Sequence, residues 1–145
     1  MLRTNVFAPE LDGGWEREGY RRRSAAIGRQ LGSERVGASL YVLDSGERTF
    51  PYHFHHAMEE WLIVLDGAPT LRVPDRERSL RRGDVVCFPP SPEGAHQVRG
   101  PGTVLMLSAS RSPETIEYPD SGKLGARPPG GIFRLADAVD YWEGE

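Results

Sequence analysis

The sequence predicts an all-β domain, a sandwich or a barrel built from short strands. Three observations carry this. Turn-formers are dense, with 17 Gly and 12 Pro among 145 residues, and they are spread along the whole chain. Between them lie about eight short apolar runs at roughly 8–12-residue spacing, the pattern of sandwiches and barrels. No apolar run approaches the ~20 residues that would cross a bilayer as a helix.

The elements follow in order. Residues 1 to about 20 are irregular, with a turn at Asp12-Gly13-Gly14. Ser24 to Leu31 is expected as a strand in which Ala26 and Ile27 supply apolar contacts. Gly37 to Leu43 reads as a strand that ends at Asp44-Ser45-Gly46, a turn tolerant of positive φ. A second strand is expected over Thr49–His55. Trp61-Leu62-Ile63-Val64-Leu65 is too short for a helix and rich in β-formers, so it is read as a buried strand closed by Asp66-Gly67. Thr70–Val73 and Arg78–Leu80 form a hairpin around Pro74-Asp75-Arg76-Glu77, its outer side studded with Arg72, Arg76, Arg78, Arg81 and Arg82. Val85–Phe88 is a strand, Pro89 to Gly94 a rigid loop, and Thr103–Ser108 the last clear strand. The tail is rich in Pro, Gly and acidic residues, and residues 134–142 are expected as a short helix.

Composition excludes several function classes. Apolar residues make up 38% and charged residues 27%, with a mean hydropathy of −0.50, a soluble globular mixture. The net charge is −3 and the pI about 5.8, which provides no basic footprint for nucleic acid. Arg21-Arg22-Arg23 reads as a solvated turn or edge. The single cysteine, Cys87, cannot form an intrachain disulfide and fits a reducing compartment. The first residues lack the apolar stretch of a signal peptide. The expected location is the cytoplasm, with no membrane partner.

The four histidines lie in two short places: His53, His55 and His56, then His96. In a strand, side chains two apart share a face with Cα atoms about 6–7 Å apart, so His53 and His55 can close on one metal ion. Glu60 has the wrong parity for the same unbroken strand, so Ala57-Met58-Glu59 must turn or bulge. A carboxylate opening an apolar strand costs several kcal/mol unless it is paired or metal-bound. Parity alone leaves Glu59 open as the ligand instead. His56 has opposite parity to the pair. Cys87 is expected as a buried small apolar residue. Tyr41, Phe50, Tyr52 and Phe88 are expected in core packing, with the barrel mouth as their alternative. Trp61 and Ile63 face away from Glu60, so their outer face needs cover from the N-terminal strand or a second subunit.

These residues resemble a known family. Gly46…His53-Phe54-His55…Glu60…Gly67 is similar to the first motif of the cupins: Gly, five residues, His-x-His, three or four residues, Glu, six residues, Gly. The four residues from His55 to Glu60 and the six from Glu60 to Gly67 are in register, and that spacing favours Glu60 over Glu59. The gap from Gly46 to His53 is six. Gly83…Pro89…Gly94-Ala95-His96 resembles the second motif, with a Pro-to-His loop two residues longer and Gly100 where Asn is usual. Tyr118-Pro119-Asp120-Ser121 and Asp140-Tyr141-Trp142-Glu143 resemble a subgroup of small bacterial single-domain cupins without a defined reaction.

The resemblance implies a double-stranded β-helix, or jelly-roll, barrel. It implies an N-terminal extension with an added strand over 1–36, a barrel core over 37–110 and a C-terminal extension over 111–145. It implies metal ligands His53, His55, Glu60 and His96 for Zn, Fe(II), Mn, Ni or Cu, a donor set that suits all of these. It further implies a homodimer with a small-molecule ligand or substrate. Open coordination positions favour a metal-dependent dioxygenase, isomerase or lyase, with no catalytic residue assigned. The alternatives are a non-catalytic module binding a sugar or carboxylate, and a barrel whose metal only stabilises the fold.

Overall fold

In a computed structural model the chain is an all-β jelly-roll barrel; residues 2–109 and 111–145 are described. Met1 and Ser110, the expected end of the barrel core, lie outside the described residues. The strands are β1 (Gly13–Trp15), β2 (Arg22–Ala25), β3 (Val36–Leu43), β4 (Phe54–His55), β5 (Glu60–Gly67), β6 (Thr70–Val73) and β7 (Arg76–Ser79). They continue with β8 (Val85–Phe88), β9 (Gln97–Arg99), β10 (Gly102–Ala109), β11 (Glu114–Tyr118), β12 (Lys123–Arg127) and β13 (Gly131–Arg134). A six-stranded sheet runs β1-β2-β3-β10-β5-β8. It faces a three-stranded sheet, β7-β6-β9, and a four-stranded sheet, β13-β12-β11-β4. Among the described residues no helix is long and apolar enough to cross a membrane.

Strand alternation decides which side chains enter the core. Leu62 and Val64 of β5, Tyr41 and Leu43 of β3, and Val104 and Met106 of β10 point inward. There they meet Leu71 of β6 and Val98 of β9 from the opposite sheet, with Leu80 and Phe88. The outward residues of the same strands need their own cover. Leu40 and Leu65, with Val42, Ile63 and Leu105 packed against them, are sealed by Ala25 and Ile27. The N-terminal segment therefore covers Ile63, whereas Trp61 stays 42% exposed.

Four local expectations are corrected. The strand expected over Ser24–Leu31 ends at Ala25, and Ile27–Gln30 form a helical turn, α1. The Asp12 carboxylate accepts the Ala26 N–H at 2.9 Å and also holds Arg29 and Gln30, which turns the chain. The strand expected over Thr49–His55 is regular only at Phe54–His55, since Pro51 has no N–H to offer a ladder. The helix expected over 134–142 is replaced by the end of β13 and a 3₁₀ turn at Leu135–Asp137; only Arg134 pairs with β12, and the rest is exposed and too short to hold a helix without packing. Cys87 is exposed, because it alternates outward from Phe88.

Leu62 is completely buried at the centre of the core. Leu62→Ala is expected to lower unfolding free energy by about 2–5 kcal/mol, whereas Trp61→Ala costs about 1 kcal/mol or less. Urea denaturation of the two variants checks this; equal losses would contradict the inward–outward assignment.

Candidate metal centre

Four side chains converge at one end of the barrel. His53 and His55 come from the approach to β4 and from β4 itself. Glu60 opens β5, and His96 follows the 3₁₀ turn at Pro92–Gly94. The backbone locks two of these segments together: His53 N–H donates to His96 C=O at 3.2 Å, and His96 N–H donates to His53 C=O at 2.9 Å. Gly94 is required locally, because a Cβ there would run into the Pro89 carbonyl. His96 is further fixed by a stack on Phe88, with ring centroids 3.7 Å apart and planes 9° from parallel.

Glu60 Oε2 lies 3.2 Å from His55 Nε2, 3.4 Å from His96 Nε2 and 3.8 Å from His53 Nε2. Donor atoms of His53, Glu60 and His96 all lie within 4.8 Å of one another. The other ring nitrogens set the tautomers. His53 Nδ1 donates to Pro51 C=O and His96 Nδ1 to Gly94 C=O, each at 2.9 Å. In the neutral rings the Nε2 atoms then carry lone pairs aimed at the carboxylate. Glu60 Oε2 and His96 Nε2 are both buried without a hydrogen-bond partner. Buried acceptors facing acceptors are unfavourable. A cation bound among them removes the conflict, so the donor set fits a divalent ion.

Electrostatics agree. Burial, reinforced by His53, pulls the His96 imidazolium down to about 4. Burial likewise lowers His53, opposed by Glu60. Burial pushes the Glu60 carboxyl up, but His55, at 3.2 Å, and the imidazoles of His96 and His53 outweigh it and hold it below its usual range. At neutral pH the set includes an ionised carboxylate with neutral His53 and His96, the protonation state that metal binding requires.

Other residues of the expectation fall elsewhere. Glu59 accepts the Trp61 Nε1–H at 2.7 Å, away from the cluster. His56 is exposed and lies 3.3 Å from Glu117. Tyr41 and Phe88 sit in the main core, and Phe50 packs against it. Tyr52 packs with Phe54 and Ala95.

The sequence reading missed Glu114. Its carboxylate is 3% exposed. Oε1 accepts the N–H groups of His56 at 3.1 Å and Ala57 at 3.4 Å, and lies 3.6 Å from His55 Nδ1. Glu114 therefore holds the chain that carries His55. The available signal was its phase, since Glu114 shares a face with Ile116 and Tyr118, the apolar side of β11.

A cavity of about 370 Å³ opens over the cluster, with Trp15, Phe50, Met58, Ile116 and Tyr118 on its walls. Arg22, expected on a solvated turn or edge, is instead buried in β2, and its guanidinium braces one wall. It lies 3.6 Å over the Trp15 ring and 4.2 Å over Phe50, and its Nη1 donates to Thr49 C=O.

Comparison with known proteins places this architecture. Residues 39–109 match the family described as Cupin domain. A protein from Acidithiobacillus ferrooxidans proposed to be a sugar phosphate isomerase superposes with a TM-score of 0.78 at 25% identity, over 91% of this chain and 88% of its own. A sugar phosphate isomerase from a cupin superfamily, from Silicibacter pomeroyi, gives a TM-score of 0.80 at 21% identity, over 95% and 96% of the two chains. A cupin-like protein from Thermotoga maritima gives 0.57 at 21% identity, over 75% and 85%. No curated protein matches the sequence. Residues 39–109 form a small cupin domain.

The buried imidazoles make acid stability testable. His96 takes up its proton near 6.5 in the unfolded chain and near about 4 in the fold. Between these values the unfolded chain binds more protons, so stability falls as pH falls. Chelator-treated protein is expected to lose stability from about pH 6.5 down to about pH 4, with His53 acting in the same direction. Urea midpoints at neutral and mildly acidic pH check this. His96→Gln should reduce the loss; a midpoint that does not change with pH contradicts the account.

Proposed function

We propose that the protein binds one divalent metal ion through His53, His55, Glu60 and His96. We read it as a metal-dependent enzyme on a small organic molecule held in the cavity above the ion. The observation that carries this is the orphaned, buried Glu60 oxygen facing three imidazole nitrogens at the floor of a ligand-sized cavity. Among dioxygenase, isomerase and lyase, the description of the Acidithiobacillus relative favours an isomerase, with a sugar phosphate as the substrate class.

A bound ion would polarise a ligand carbonyl or hydroxyl oxygen as a Lewis acid. The chain supplies the rest. Trp15, Phe50, Met58 and Ile116 present apolar surface that keeps water from the floor. Burial raises the Tyr118 hydroxyl, so it keeps its proton at neutral pH and can donate a hydrogen bond to a ligand. Glu114 accepts the backbone N–H groups of His56 and Ala57 and so holds the chain beside His55, with its carboxylate 3.6 Å from the His55 Nδ1. A non-catalytic binding module is the second reading. It is favoured by one observation: among the described residues lining the cavity, Glu60 is the only carboxylate. We also read the chain as a homodimer, since Trp61 and Val85 leave apolar surface on the outer face of β5 and β8, and as cytoplasmic on its single cysteine.

Elemental analysis of protein purified without chelators is expected to find about one transition-metal ion per chain. His53→Ala and His96→Ala should abolish it while the barrel stays folded by circular dichroism. Glu114→Gln should weaken metal affinity by about 10–100-fold, the range for residues that orient a ligand. Metal-free protein after metal-replete expression would refute the site. A screen of phosphorylated and free sugars with loaded protein separates enzyme from binding module: turnover supports the first, saturable binding without turnover the second.

A further inference from the structure

The cavity wall carries more positive charge than the metal reading uses. Residues 123, 125 and 127 share one face of β12. In the ladder Lys123 lies opposite Tyr118, Gly125 opposite Ile116 and Arg127 opposite Glu114. Glu114 and Ile116 are buried on this face, so the face points toward the metal cluster. Lys123 Nζ sits 5.5 Å from the centre of the Tyr118 ring, and that ring stacks on His53 with centroids 6.0 Å apart. Arg127 lies close enough to the Tyr118 hydroxyl to oppose the effect of its burial. Gly125 adds no side chain between the two cations. Arg17, from the connection between β1 and β2, lines the same cavity.

Three cations thus surround the cavity, against the single carboxylate of Glu60. Among the described residues, no carboxylate lies within ion-pair distance of Arg17, Lys123 or Arg127. Unpaired arginines such as Arg23, Arg35 and Arg78 also stand on the surface elsewhere; what sets these three cations apart is that they line one cavity.

We propose that Lys123, Arg127 and Arg17 form an anion subsite that takes the phosphate of a small phosphorylated polyol or sugar, whose oxygen-bearing chain extends down to the metal cluster. A phosphate dianion fits better than a carboxylate. It offers more acceptor oxygens and more charge to three separate donors, and Arg contacts phosphate in bidentate fashion. The apolar wall between rim and floor accommodates a short carbon chain. This deepens the proposed function and rests on the cavity being its ligand site.

The test uses full-length, manganese-loaded protein, with ribose 5-phosphate and ribose as probes in titration calorimetry and metal content measured on the same samples. Wild-type protein is expected to bind the ester at least about tenfold more tightly than the free sugar, the scale of a charge-assisted contact. In the double variant Lys123→Met, Arg127→Gln that preference should be lost with metal content unchanged. Arg17→Gln, on a separate element, should weaken ester binding alone. Equal affinity for the two probes in the wild type, or a preference that survives the double substitution, overturns the subsite. A protein that takes up no manganese yet prefers the ester retains the subsite and refutes the metal reading.

Discussion

The Glu60 carboxylate is buried against three imidazole nitrogens, two of which the backbone has already turned into acceptors. Pro51 and Gly94 take the Nδ1 protons of His53 and His96, and the reciprocal amide pair between His53 and His96 holds these rings side by side. Leaving such an arrangement uncompensated costs stability, since buried polar groups are tolerated when they are paired. The donor set at this end of the barrel therefore fits a cation. Its geometry depends on ordinary structural devices: a proline that interrupts a strand, a glycine that lets a 3₁₀ turn close, and an aromatic stack that fixes His96.

The segments flanking the cupin domain supply much of the cavity. β11 pairs with β4 beside His55 and carries Glu114 and Tyr118 to the cluster. β12 brings Lys123 and Arg127 to the same face. From the other side, Trp15 and Arg17 arrive near β1, and Arg22 braces Trp15 against Phe50. The barrel core provides the floor, and the two ends of the chain provide walls that can distinguish one ligand from another. Folds of this kind host many chemistries by varying such walls.

Much of the barrel was legible because it follows local rules. The strands at Gly37–Leu43, Trp61–Leu65, Thr70–Val73 and Val85–Phe88 emerged from apolar runs between turn-formers, and the His-x-His parity placed two imidazoles on one face. What escaped were features set by pairing partners distant in sequence. Thr49–His55 looked like one strand, but Pro51 breaks its ladder. Residues 134–142 looked helical, but the stretch is exposed, with no packed face to hold so short a helix. Cys87 looked like a core residue, and only the register of β8 against β5 turns it outward. Glu114 carried a signal in its phase with Ile116 and Tyr118, but its target, the backbone around His56, is 58 residues away. The cations of β12 share this difficulty, since nothing local distinguishes them from a solvated edge.

The most direct measurement is anomalous diffraction from crystals of protein loaded with a single divalent metal, collected on both sides of that metal's absorption edge. The account predicts one peak bounded by Nε2 of His53, His55 and His96 and by a Glu60 oxygen, with the Glu114 carboxylate behind His55. A peak elsewhere, no peak at all, or a site in which Glu60 turns away from the ion would contradict it.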